Sequence, residues 1–311
     1  MSQSVMKASK DVLYKMQEYY KDQLKPDPPV HTFFAAKVNG CAITAYKSGK
    51  VLFQGKNHEI EANKWGSSKN TQQKYQTKPD RQIPSFVNQS HIGSDEAGSG
   101  DFFGPLTTAA AYVEETKIPL LKELGVGDSK TMSDDKIMEL AKKIRQAEIP
   151  YSLMVLHNQK YNHLQQKGWT QGKMKVMLHY HAIMKVRQKM DTSQLKGILV
   201  DQFSEPHVFK RHLASEQKRM PNQFHFMTKA ESYSIAVAAA SIIARAKFVK
   251  EMDQLSREIG FHLPKGASKK VDEQAARIIQ KKGKQTLHDC SKIHFSTYQK
   301  AENLLKNKRN T

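Results

Sequence analysis

Between Gly66 and Ser90 the chain is polar and weakly patterned, with Ser67, Ser68, Asn70, Thr71, Gln72, Gln73, Gln76, Thr77 and Pro79 in close succession. Such a stretch offers no apolar face to bury and behaves as a connector. It forces a two-part organisation: a small domain over 1–66, a linker over 67–85 and a larger domain over 86–311. A chain of 311 residues has enough surface to bury for both.

In the small domain, apolar side chains at Val5, Met6, Val12, Leu13, Met16, Tyr19, Tyr20 and Leu24 stand mostly three and four apart. That spacing predicts an amphipathic helix over Gln3–Gln23, ended by Pro26, Pro28 and Pro29. Strands are expected at His31–Val38, Cys41–Tyr46 and Lys50–Gln54, the first pair joined by Asn39-Gly40, whose residues tolerate positive φ. A second helix is expected at Glu59–Trp65.

The larger domain alternates short apolar runs with helical ones, which predicts an α/β fold. Strands are expected at His91–Ser94, Leu106–Val113, Ile149–Leu156, Gly197–Val200 and Gln223–Met227. Helices are expected at Ser133–Ala147, Gln171–Met190, Ser232–Met252, Lys270–Lys281 and Tyr298–Lys306. Small residues crowd one of them, Ala236-Val237-Ala238-Ala239-Ala240, and permit close approach to a neighbour.

The formal net charge is +20, well beyond the magnitude of about 2–8 that solubility requires. Nucleic acid is therefore the first class of partner, since Lys and Arg release counterions from phosphates. A membrane surface is disfavoured, because no segment carries the Trp/Phe-rich face of an interfacial anchor. Two distant cysteines, Cys41 and Cys290, exclude a disulfide framework and a four-thiolate zinc site. With neither a signal-peptide pattern nor a long apolar run, the chain is expected to be a soluble, cytoplasmic protein.

Two apolar runs end in acids: Ile92-Gly93-Ser94-Asp95-Glu96 and Ile198-Leu199-Val200-Asp201. Open α/β sheets bind ligands beyond the carboxyl ends of their strands. Carboxylates there repel phosphate unless a cation intervenes, and Mg²⁺ suits a set of carboxylate and phosphate oxygens. The plain alternative is that each acid solvates a sheet edge or caps a helix. The run Gly98-Ser99-Gly100 lets backbone amides approach a phosphate or sugar closely. It is no dinucleotide fingerprint, because it follows acids instead of opening a helix. Histidines show no His-x₃-His pattern and are read as structural or surface residues, and no Gly-x-Ser-x-Gly elbow supports a Ser–His pair.

The segment Gly93-Ser94-Asp95-Glu96-Ala97-Gly98-Ser99-Gly100-Asp101-Phe102-Phe103-Gly104-Pro105-Leu106 resembles the opening motif of the type 2 ribonucleases H, in particular the ribonuclease HIII branch. Gly127-Asp128-Ser129-Lys130, Asp201, Lys229-Ala230-Glu231 and the run from Val237 to Ala244 match in the same order, so the likeness covers roughly 86–300. Glu231, where the ribonuclease HII branch usually has Asp, and Ser99, where it more often has a basic residue, both favour HIII.

The resemblance implies a ribonuclease H-like mixed β-sheet flanked by helices, preceded by a small α+β domain resembling the TATA-box-binding protein fold. It implies an endonuclease that hydrolyses the RNA strand of RNA·DNA hybrids with Mg²⁺, or Mn²⁺, held by Asp95, Glu96, Asp201 and Glu231. The ends left would be 5′-phosphate and 3′-hydroxyl, and runs of ribonucleotides would be the better substrate. Gly98, Ser99 and Gly100 would sense the 2′-hydroxyl, and Ser129 and Lys130 would touch backbone phosphate. In the small domain, Lys37, Tyr46, Lys47 and Lys50 are candidates to grip the hybrid. A monomer without an obligate protein partner is expected. The rival readings are a non-catalytic nucleic-acid-binding module and a broader metal nuclease or integrase-like phosphoryl transferase.

Overall fold

The computed structural model describes residues 3–26, 28, 32–65 and 83–309. The expected linker lies outside the described residues over 67–82, as does His31 at the start of an expected strand. The chain divides into two compact units, residues 1–80 and 81–311.

The first unit runs β1 (Gln3–Lys7), α1 (Lys10–Tyr19), β2 (Thr32–Val38), β3 (Cys41–Tyr46), β4 (Lys50–Gly55) and α2 (His58–Asn63). Its four-stranded antiparallel sheet has the order β1-β4-β3-β2. The single helix expected over Gln3–Gln23 is corrected to a strand and a shorter helix. Residues 3–7 pair with β4, Val5 facing Leu52 and Met6 facing Val51, so the edge of β4 claims the backbone before a helix can. Ser9 then starts α1, its extended backbone letting its hydroxyl accept from the Val12 amide. The helical period is real only from there on, where Leu13, Met16 and Tyr20 are buried. At the β2–β3 turn, Asn39 (φ 48°) and Gly40 (φ 73°) both take the positive φ that their pairing foretold.

The second unit contains β5 (His91–Ala97), β6 (Leu106–Val113), α3 (Ile118–Glu123), α4 (Asp134–Gln146), β7 (Tyr151–Leu156), α5 (Asn158–Gln166) and α6 (Gln171–Arg187). It continues with β8 (Gly197–Asp201), α7 (Pro206–Ala214), β9 (Phe224–Met227), α8 (Ile235–Ile259), α9 (Lys269–Lys282), α10 (Lys284–Cys290) and α11 (Ser296–Arg309). The five-stranded sheet has the order β7-β6-β5-β8-β9. It is mixed, as expected: β5 pairs antiparallel with β6 and parallel with β8, and β8 pairs parallel with β9. Helices α3, α5, α7 and α10 were not foreseen; each is short, and α7 buries only Phe209 and Leu213.

Helices cover both faces of this sheet. On one, α3, α4 and α8 pack against Ala109, Ala111 and Val113 of β6. On the other, α6 and α7 pack against Ile92, Ile198 and Val200. The crowded small residues of α8 lie directly on the central strand. A Cβ on Gly93 would collide with the Ala236 carbonyl carbon and the Val237 amide nitrogen, so glycine is what allows this contact. A third cluster joins Phe102, Phe103, Phe248 and Met252 to α9, α10 and α11.

Candidate active site

Parallel pairing sets up the site. The β5–β8 register ends with Ser94 opposite Val200, and the next residues on the two strands are Asp95 and Asp201. From β9 the chain turns through Lys229 in the left-handed region (φ 58°). The Ala230 amide then donates to Asp201 Oδ1 at 2.9 Å, and a short 3₁₀ turn over Ala230–Ser232 carries Glu231. Ser234 caps α8 by accepting from the Val237 amide at 3.1 Å.

The acids sense one another. Burial pushes the Asp95 carboxyl well above the usual carboxylate range, and the charges of Glu96 and Asp201 push it the same way. The Ser241 hydroxyl and the Glu96 amide, at 2.7 Å from Asp95 Oδ1, offset part of this. Asp201 is pushed up to about 6, first by burial and then by Glu231 and Glu96, with the Ala230 amide and Lys130 opposing.

Glu96 behaves otherwise. Burial alone would raise it, but His179 and Lys175 outweigh burial and hold it below the usual range. Lys175 Nζ pairs with Oε1 and His179 Nε2 donates to Oε2 at 2.9 Å. An ionised carboxylate only accepts, so the Nε2 proton sits on His179, whose Nδ1 lies 2.7 Å from the Ser94 hydroxyl. Phe203 closes this corner, stacked on His179 and beneath the Lys175 ammonium. Lys175 and His179 escaped sequence reasoning; their i, i+4 spacing on α6 was the available signal. His179 does turn out structural, at 0% exposure.

Glu231 is buried, and its Oε1 accepts from Lys130 Nζ at 2.5 Å. Its Oε2 is buried without a hydrogen-bond partner. Lys130, expected to face phosphate, thus rests on an acid, with its side chain still 64% exposed. Ser129 is buried, its hydroxyl 2.9 Å from that of Ser241 and its carbonyl held by Arg245.

The glycine loop leaves β5 directly after the acids. Gly98 has φ +85°, and a Cβ there would meet the Pro105 carbonyl and the Phe248 ring. Gly100 has nothing within 4 Å of such an atom, so this part of the loop faces open space. The Ser99 carbonyl accepts from Gln171 Nε2 at 2.8 Å. In the other unit, Lys37, Lys47 and Lys50 are exposed and Tyr46 is half-buried.

Asp95, Asp201 and Glu231 fit a divalent cation by chemistry: hard oxygen donors, two carboxyls raised by burial and by their neighbours, and one unpartnered buried oxygen. Glu96 is already matched by the Lys175 ammonium and the His179 N–H. Among the described residues, no three His, Cys, Asp or Glu side chains are gathered into a finished metal cluster. The acids share a neighbourhood, while Glu96 and Glu231 each turn an oxygen toward a lysine.

Comparison with known proteins gives the family of the chain. A family model described as Ribonuclease HII matches residues 92–298, and one described as a domain of unknown function matches residues 3–78. Ribonuclease HIII of Oceanobacillus iheyensis is 51% identical, with 98% of this chain and 100% of that protein covered. Ribonuclease HIII of Bacillus subtilis (strain 168) is 48% identical, with 99% and 100% covered. The solved structure of Bst-RNase HIII in complex with Mn²⁺ is 40% identical, with a TM-score of 0.70 over 98% of this chain and 100% of that one. An Aquifex aeolicus RNase H3 structure is 25% identical, with a TM-score of 0.55 over 94% and 99%. On this sequence identity and shared fold, the chain belongs to the ribonuclease HIII family and is a metal-dependent endoribonuclease.

Proposed function

We propose that this protein hydrolyses the RNA strand of RNA·DNA hybrids at the end of the β5–β8 strand pair, with Asp95, Glu96, Asp201 and Glu231 holding two divalent cations. The observation that carries this reading is the elevation of Asp95 and Asp201, first by burial and then by neighbouring acids, beside a buried, unpartnered Glu231 oxygen. Neighbouring carboxylates that raise one another make a poor resting arrangement and a good cation receptor. Bound there, Mg²⁺ or Mn²⁺ supplies an activated water and charge stabilisation for the departing 3′-oxygen.

The chain's own residues supply placement. Asp95 and Asp201 fix the donor spacing through the strand register, and Ser241 and the Ala230 amide orient their oxygens. The Gly98–Gly100 turn opens to space at Gly100 and would bring its backbone to the ribose 2′-hydroxyl. Lys130, once released from Glu231, has the reach and exposure to meet phosphate. In the other unit, Lys37, Tyr46, Lys47 and Lys50 form the grip on the duplex. The unit boundaries of function are read as 1–66 for grip and 86–311 for cleavage.

All four acids come from one chain, which supports action as a monomer. No helix among the described residues is long and apolar enough to cross a membrane, and both cysteines are free and buried; a cytoplasmic location agrees with both.

The test offers end-labelled RNA·DNA, RNA·RNA and DNA·DNA duplexes, and a DNA duplex with one ribonucleotide, each with Mg²⁺, Mn²⁺ or chelator. Cleavage of the hybrid alone, in its RNA strand, with 5′-phosphate and 3′-hydroxyl ends, is the expected result. Equal cutting of DNA·DNA would establish a broader nuclease, and cutting in chelator would remove the cations from the reaction.

A further inference from the structure

Lys292 is fully buried, and the chemistry above makes no use of it. Its ammonium donates to two neutral carbonyls, Asp101 at 2.8 Å and Gly104 at 2.6 Å. The surrounding bonds all grip the same short segment. The Lys292 amide donates to the Phe102 carbonyl at 2.8 Å, and the Gly104 amide to the Cys290 carbonyl at 2.9 Å. Asn158 Nδ2 reaches the Gly104 carbonyl at 2.8 Å. The Phe102 amide donates to the Gly266 carbonyl, and Asp101 Oδ1 accepts from the Gly266 amide.

The loop between β5 and β6 therefore has a base clamped at 101–104, a buried start at Gly98 and a tip that opens to solvent at Gly100. A buried ammonium is costly, and burial pushes Lys292 down to about 7 even with Asp101 nearby. An apolar side chain would fill the space at lower cost but would leave the Asp101 carbonyl unbonded and the Gly104 carbonyl with Asn158 as its side-chain donor. Something other than packing favours the donors, and they act on the one loop that leads away from Asp95 and Glu96.

We propose that Lys292 is a positioning residue that holds the Gly98–Gly100 backbone in the pose that distinguishes a ribose from a deoxyribose strand. This rests on the assignment of that loop to the hybrid. Lys292 lies beneath the loop and touches no acid of the site, so its influence falls on substrate selection and leaves cation binding alone.

Lys292→Met tests it, with Lys292→Arg as the conservative rescue. In the Met variant, KM for the hybrid should rise about tenfold and the ratio of hybrid to DNA-duplex affinity should fall by a similar factor, with kcat within about threefold. Mn²⁺ affinity, measured by calorimetry without substrate, should be unchanged, and the Arg variant should recover most of the discrimination. If Lys292→Met does not fold, Asn158→Ala removes the other side-chain donor to Gly104 and carries the same measurement. An unchanged affinity ratio in a folded variant, or a loss confined to kcat and Mn²⁺ binding, overturns the proposal. A wild-type protein that ignores hybrids would instead overturn the function beneath it.

Discussion

Glu96 and Asp201 leave neighbouring parallel strands at the same end of one sheet, yet their surroundings treat charge in opposite ways. Around Glu96 the fold has assembled a lysine, a buried histidine and an aromatic ring, and the carboxylate is held in its ionised form. Around Asp201 it has assembled other acids, and the carboxyl is pushed up to about 6. One half of the site is satisfied by the protein, while the other needs a positive charge from outside. The contrast teaches that carboxylates at one end of a sheet need not contribute alike to stability.

The largest effect should come from the unsatisfied half. Asp95→Asn keeps the size and removes the charge, so single-turnover cleavage of a hybrid should fall on the order of 10³-fold or more. Hybrid binding, followed by fluorescence anisotropy, should survive. If cleavage persisted, Asp95 would be no cation ligand and the two halves would lose their distinction.

In the satisfied half the main effect should be on stability. His179→Ala strips Glu96 of a buried charge-assisted hydrogen bond, and chemical denaturation of the metal-free protein should show a loss of about 2–3 kcal/mol. A silent substitution would mean that Lys175 suffices by itself.

Asp201 should show the reverse sign. Its carboxyl is pushed up to about 6 in the folded chain, from about 4 when unfolded. Between those values the native state binds more protons than the unfolded one, so metal-free stability falls as pH rises through this window. Asp201→Asn should flatten that fall. At pH 8 it should gain roughly 1–2 kcal/mol of metal-free stability, the full shift being reduced by solvent screening. Thermal melts with and without Mn²⁺ measure both signs at once, and added Mn²⁺ should stabilise the wild type more than the variant.

The smallest effect belongs to Lys130→Ala. Its side chain is 64% exposed where it meets Glu231, so metal-free stability should drop by less than about 1 kcal/mol. A larger loss would make Lys130 a structural counter-ion and move Glu231 into the satisfied half.

The sequence carried the acid-tipped strands openly. Asp95, Glu96 and Asp201 close short runs read as strands, and the mixed sheet pairs them as such. Glu231 was legible only through resemblance, because a lone acid before an alanine-rich helix has a helix-start reading of equal merit. Lys175, His179 and Lys292 were hidden for a physical reason. A buried polar residue is recognised by its partners, and Glu96, Ser94, Asp101 and Gly104 lie far away along the chain. The misread helix at Gln3–Gln23 has the same origin. Val5 and Met6 suit a helical period and an edge strand equally, and only the open side of β4 decides.

Gly93 lies two residues before Asp95, where α8 crosses the sheet with no room for a methyl group. The helix that follows Glu231 and bears Ser241 is thereby seated on the very strand that delivers Asp95. The elements that carry Asp95 and Ser241 are thus registered by a hydrogen atom, so even Gly93→Ala, a change of one carbon, would slide the helix against the strand. Tolerance is low there even though the position carries no functional group of its own.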